Sequence, residues 1–168
     1  MKSHFVLVSR WLLPAPRERV WELLVHPERW PHWWPRLESA CRTVPGAADG
    51  LGAVTEFRWN SGLGYRIEFA VATVRVQAPS ELEGEVRGNL RGSGLWLLEE
   101  AGSGACLTYR WDVHLEKTWM RLLAPLLWPV FAQRHFRVMR DGARAMARQL
   151  GCEAGRVEEW SSLTLRPS

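Results

Sequence analysis

The chain has 168 residues, a formal net charge of +4, 46% hydrophobic residues and 11 tryptophans, which suits one domain that buries a sizeable core or keeps a cavity inside one. Its three cysteines, Cys41, Cys106 and Cys152, show no Cys-x-x-Cys or Cys/His ligand spacing, which argues against a disulfide framework and a structural zinc site. The opening Met1-Lys2-Ser3-His4-Phe5 lacks the apolar run of a signal peptide, and the longest apolar stretch, 122–131, is broken by Pro125 and Pro129, so a cytoplasmic protein without a membrane span is expected.

Residues 5–13 read as a strand stopped by Pro14 and Pro16. Pro16 then suits the start of a short helix in which Val20, Trp21, Leu23 and Leu24 recur at helical spacing. That helix must end before Pro27, because the residue preceding a proline is pushed out of the α region. Residues 27–33, bounded by Pro27, Pro31 and Pro35, form a second short helix or turn. This elbow carries Trp30, Trp33 and Trp34.

From there the period changes to two, the repeat of a strand with one buried face. Strands are expected at 37–44, 53–60, 65–77, 81–87, 91–100 and 105–116. The connections between them are short and rich in Gly, Pro, Ser or Asn, which implies antiparallel hairpins. Within 65–77, Tyr65, Ile67, Phe69, Val71 and Thr73 share one face; within 105–116, Leu107, Tyr109, Trp111, Val113 and Leu115 point inward. The glycines of Gly62-x-Gly64 and Gly92-x-Gly94 lack the strand-to-helix context of a nucleotide fingerprint and read as hairpin turns.

Residues 117–150 form one long helical pattern that bends or restarts near Pro125 and Pro129. Phe131, His135, Met139, Met146 and Leu150 share its apolar face, with Arg134, Arg137, Arg140, Arg144 and Arg148 as the opposite stripe. This segment holds seven basic residues against one acid, Asp141, so the basic excess belongs to one helix. Aromatic residues do not interleave with these arginines, and the rest of the chain is slightly acidic, which argues against nucleic acid as a partner. Residues 1–150 make one domain, and 151–168, without clear periodicity, read as a C-terminal tail whose Trp160 is able to dock on the body.

Three stretches carry a resemblance to a known family. Leu13-Pro14-Ala15-Pro16-Arg17-Glu18-Arg19-Val20-Trp21-Glu22-Leu23-Leu24 is similar to the opening of the START-like and Bet v 1-like (SRPBCC) superfamily, where a strand gives way to a Pro-started helix. His26-Pro27-Glu28-Arg29-Trp30-Pro31-His32-Trp33-Trp34-Pro35 resembles its proline- and tryptophan-bearing elbow, with His26 in place of the usual Asp. Gly102-Ser103-Gly104 ahead of Leu107-Thr108-Tyr109-Arg110-Trp111 resembles its run into the last strand of the sheet. The likeness spans about 5–150 and looks closest to the polyketide cyclase/dehydrase-like branch. It implies an α+β helix-grip fold, in which a curved antiparallel sheet of about seven strands wraps a long C-terminal helix over a cavity. It implies no reaction, because fold-level likeness does not choose among carriers, cyclases and quinone-binding proteins.

On that architecture the cavity wall is expected to comprise Trp59, Tyr65, Ile67, Phe69, Leu82, Trp96, Tyr109, Trp111, Phe131, His135 and Met139. His135 could hydrogen-bond a ligand or act as a base, or be satisfied by a neighbouring group. Tyr65, Tyr109 and Trp111 carry polar tips able to orient a ligand. Arg58, Arg66, Glu56 and Glu68 suit cross-strand pairs on the outer face, or a polar anchor if the sheet turns that face inward. A gate is expected where Leu63, in its glycine-flanked turn, rests on Leu126, Leu127 or Trp128, with the 60–64 and 88–94 turns and the 122–129 segment around the mouth.

Three readings follow. The first is a binding protein for a small hydrophobic ligand, aromatic, polyketide-like or lipid-like. The second is a cyclase or aromatase using His135 with Tyr65 or Tyr109 as its acid/base pair, without metal or other cofactor. The third is lipid or quinone handling at a membrane surface, with the tryptophan elbow and the broken apolar start of the long helix dipping into the interface and the arginines above it. Monomer and homodimer both stay open.

Overall fold

The computed structural model describes residues 2–62, 64–115 and 118–166. In chain order it contains β1 (Lys2–Leu13), α1 (Arg17–Leu24), a 3-10 turn (Pro27–His32), β2 (Leu37–Val44), β3 (Val54–Asn60), β4 (Arg66–Gln77), β5 (Glu81–Gly88), β6 (Leu90–Ala101), β7 (Gly104–Leu115), α2 (Thr118–Leu150) and β8 (Val157–Arg166). The strands form one sheet in the order β2-β3-β4-β5-β6-β7-β1-β8, each pair antiparallel. Consecutive hairpins run from β2 to β7, and the first strand returns to lie beside the last of them, Trp11 opposite Leu107. Register shifts at Leu37/Ser39, Arg42/Val44 and Thr73/Arg75 mark irregular pairing, the device by which strands bend and sheets curve.

The alternation seen in the sequence sets which face is inside. Along β7, Leu107, Trp111, Val113 and Leu115 are buried while Arg110 is exposed. One helix, α2, lies against the inner face. Pro125 and Pro129 do not divide it, since all 33 residues belong to one helix.

Two features differ from expectation. Residues 157–166, expected as an irregular tail, pair with β1 from Trp11↔Val157 to Lys2↔Arg166 and make the eighth strand. Arg140 of α2 anchors this strand through both carboxylate oxygens of Glu159, at 3.0 and 2.8 Å. Gly92 and Gly94, expected in a turn, lie within β6, and only Asn89 separates β5 from β6. The requirement at Gly94 is space: a Cβ there would sit 2.7 Å from the Tyr109 hydroxyl and 3.0 Å from the Trp111 ring.

The core falls into two clusters. One gathers Trp11, Trp30, Trp34, Trp96, Leu98, Leu107, Met139 and Met146; the other gathers Phe5, Leu7, Val86, Trp111, Val113 and Phe136. Trp34 ties the elbow to the helix: its Nε1 donates to the Val138 carbonyl at 3.0 Å, and its ring lies where a Cβ at Gly142 would be. Trp30 donates to the Leu23 carbonyl at 2.9 Å. Both indoles are buried, at 7% and 3% exposure for Trp30 and Trp34, so neither is presented to the surrounding solvent.

Candidate ligand cavity

Between the concave face of the sheet and the first half of α2 lies a cavity of about 260 Å³, just below the ~300–1,000 Å³ typical of small-molecule sites. All eleven residues expected from sequence line it: Trp59, Tyr65, Ile67, Phe69, Leu82, Trp96, Tyr109, Trp111, Phe131, His135 and Met139. They are brought together because alternate positions of β3 to β7 face inward and because Phe131, His135 and Met139 recur one helical turn apart. Sequence reasoning missed Phe57, Trp30, Trp34 and Val138, which also contribute to the wall. Phe57 is the inward neighbour of Trp59 on β3, so strict alternation was sufficient to find it.

The aromatic wall is continuous. Trp96 and Tyr109 stack with centroids 4.0 Å apart, Tyr109 meets Trp111 at 5.6 Å, and Trp111 meets Phe69 at 5.4 Å. Phe57 and Phe69 continue it at 5.7 Å. Such surfaces favour flat or ring-bearing molecules through dispersion and offset stacking. Trp128, one half of the expected gate, lines the cavity and packs on Phe5 at 4.9 Å. Its expected partner Leu63 lies outside the described residues.

Polar groups on the wall are few. Glu83 is paired with Arg75 at 2.9 Å. Asn60 donates to Glu38 at 3.3 Å and accepts from the Gly62 amide at 2.9 Å. Ser61 donates to the Tyr65 carbonyl at 2.6 Å. Arg58 pairs with Glu68 at 2.8 Å and Arg66 with Glu38 at 2.7 Å, both exposed on the outer face, so these arginines anchor nothing inside.

Three titratable side chains respond to the apolar surroundings. Burial lowers the His135 imidazole to about 4, so it is neutral near pH 7. Its Nε2 is closed to solvent and has no hydrogen-bond partner among the described residues. Burial also pushes the Tyr109 phenol well above its ordinary value, because a phenolate would be poorly solvated there. Tyr65 is raised for the same reason, with the positive charge of Arg134 working against the rise. Arg134, read from sequence as part of the solvated stripe, therefore belongs to the cavity. It lies one turn beyond Phe131 and one turn before Val138, which is the flank of the inward face rather than its opposite. Of the remaining stripe, Arg140 is paired with Glu159, Arg144 approaches Asp141 at 3.7 Å, and Arg137 and Arg148 are exposed.

Residues 7–151 match the model of the family described as polyketide cyclase/dehydrase and lipid transport. The chain belongs to that family. Solved structures agree with it at the level of the fold. A protein from Thermus thermophilus is similar at 14% identity and a TM-score of 0.74, over 86% of this chain and 96% of that one. A START superfamily protein from Mycobacterium smegmatis is similar at 14% identity and 0.70, over 87% and 97%. The di-domain aromatase/cyclase StfQ of the steffimycin biosynthetic pathway is similar at 13% identity and 0.62, over 87% of this chain and 52% of that one. No curated protein sequence matches this chain. This chain has the helix-grip fold, an eight-stranded curved sheet closed by a long C-terminal helix, with β8 beyond the residues that the family model matches. Among the described residues no helix is long and apolar enough to cross a membrane.

Proposed function

We propose that this family member binds a small hydrophobic molecule, ring-containing or acyl, in the cavity between the sheet and α2. The observation that carries this reading is the cavity wall, a connected aromatic surface with only a handful of polar groups. Transfer of apolar area out of water at roughly 25 cal/mol per Å² supplies the affinity, less the cost of association. The neutral His135 ring and the Tyr109 hydroxyl are the groups that set orientation deep in the site.

A cyclase reading uses the same cavity, with proximity folding a flexible chain and His135 with Tyr65 or Tyr109 moving the proton. The surroundings favour binding over that chemistry. A general base works best with a pKa near the operating pH, whereas His135 stands at about 4. A phenol raised by burial is correspondingly a weak acid. Of the membrane reading, the elbow's part is disfavoured, because Trp30 and Trp34 are buried in the core, whereas Leu126 and Val130 of the helix start are exposed.

The test is a fluorescence titration with N-phenyl-1-naphthylamine, an uncharged apolar fluorophore, alongside native mass spectrometry of the purified chain. Saturable enhancement at one site, reversed by a competing apolar molecule, is expected. Absence of both enhancement and co-purified mass contradicts the proposal.

A further inference from the structure

Two arginines that no carboxylate among the described residues neutralises meet beside Gly62: Arg134, which belongs to the cavity wall, and Arg36, which lies just outside it. Arg134 projects from α2, and Arg36 stands between the tryptophan elbow and β2. A Cβ built at Gly62 would lie 2.5 Å from Nη1 of Arg36 and 3.1 Å from Nη1 of Arg134. The two nitrogens are therefore separated by no more than the sum of those distances. Gly62 has a φ of 72°, so the turn needs glycine there for its backbone as well as for this space.

Neither guanidinium has an ion pair or a side-chain hydrogen bond among the described residues. Two acids on the adjoining strands are engaged elsewhere: Glu38 by Arg66 and Asn60, Glu68 by Arg58. Each guanidinium offers five N–H donors in a planar fork suited to carboxylate or phosphate oxygens. Like charges at this separation repel, and an anion between them turns the repulsion into two attractions. Arg36 is also the one non-glycine residue with positive φ among those described, at 71°. Its carbonyl accepts from the Asn60 amide at 2.9 Å, which helps hold the strained backbone in the conformation that brings this side chain beside Gly62 and Arg134.

The geometry points to an anion-binding mouth: we infer that Arg36 and Arg134 receive the anionic headgroup, carboxylate or phosphate monoester, of a ligand whose apolar body fills the cavity. This rests on the binding function proposed above and narrows its ligand to amphipathic anions.

The experiment measures displacement of N-phenyl-1-naphthylamine from the full chain by decanoate, decyl phosphate and decan-1-ol, which share an alkyl chain and differ in the headgroup. The Arg36→Gln/Arg134→Gln double variant should bind the anions about tenfold or more weakly, the loss of one or two charge-assisted hydrogen bonds. Its affinity for decan-1-ol should stay within about twofold, which also reports that the cavity is intact. Arg137→Gln, a charge-removing change on an exposed neighbour, should alter none of the three. Comparison of decanoate with decyl phosphate tells which headgroup the mouth prefers. Equal losses for alcohol and anions, no loss for any, or the same loss in Arg137→Gln overturns the inference while leaving the cavity reading standing. Failure of the fluorophore itself to bind removes the cavity reading, and the inference falls with it.

Discussion

One helix does two different things along its length. From Met139 to the end of α2, Met139, Ala143, Met146, Ala147 and Leu150 are buried in the first core cluster. Before Met139 the same helix presents Phe131, Arg134, His135 and Val138, all half-buried, to the cavity. The difference lies in what comes to meet it. The second half receives the tryptophan elbow, with Trp34 seated on Gly142 and bonded to the Val138 carbonyl. The first half meets the concave sheet through Trp128, Ala132 and Phe136, while Phe131, Arg134, His135 and Val138 look into the cavity beside that contact. The hollow thus lies where the elbow only borders the space between sheet and helix, and the small residues Gly142, Ala143 and Ala147 show how closely the other half is drawn in.

The comparison breaks most visibly at Trp34. Trp34→Ala should cost about 3–5 kcal/mol, the range for deleting a large aromatic from a packed core, read from the urea midpoint at unchanged slope. A loss below about 1 kcal/mol would mean that the elbow does not clamp the helix.

The hollow half should show itself in acid. The folded His135 imidazole stands at about 4, below its ordinary 6.5. Between those values the unfolded chain takes up a proton that the folded chain refuses. Its contribution is complete above about pH 6.5, falls as pH drops toward 4, and levels off below. The upper limit is ~3 kcal/mol. Asp112, lowered through His4 and Arg110 against its own burial, loses its contribution at still lower pH, so the difference between wild type and His135→Gln isolates the histidine. Parallel stability profiles for the two between pH 7 and 4 would contradict the burial of this ring.

Gly142→Ala separates propensity from packing. In an open helix that change gains about 1 kcal/mol; here the new methyl meets the Trp34 ring, and a net loss of about 1–3 kcal/mol is expected. A gain in melting temperature would show that Trp34 moves aside freely. Smallest of all, Phe131→Ala should lower stability by only about 1 kcal/mol, because part of its surface already faces empty volume, while weakening fluorophore binding.

Much of this division was written in the chain. The alternation of Ile67, Phe69 and Val71 on β4, continued outward by Tyr65, and of Tyr109, Trp111 and Val113 on β7 identifies the inner wall without a structure, since period two leaves a side chain only two faces to choose from. Other features were illegible for physical reasons. The sequence of β8, with Glu158, Trp160 and Ser162 set against Val157, Glu159 and Ser161, has no clean apolar face because an edge strand of this kind buries little, so no period announces it. Arg134 was grouped with its fellow arginines by type, although its place on the helical wheel is beside Phe131 and Val138. The left-handed backbone of Arg36 is dictated by tertiary contacts, and no residue-type signal marks it. Gly142 looks like a flaw in a helix until the indole that occupies its missing side chain arrives from the distant elbow.

The central claim, that the hollow beneath the first half of α2 is a binding site, is tested most directly by filling it. Ile67 on β4 and Val138 on α2 face the cavity from opposite walls, and Ile67→Trp/Val138→Phe adds side-chain volume from both. The account predicts a chain that unfolds at or near the wild-type midpoint, because the added atoms occupy space already empty, and that no longer binds N-phenyl-1-naphthylamine. A folded double variant that binds the fluorophore with undiminished affinity would place the site elsewhere and contradict the account.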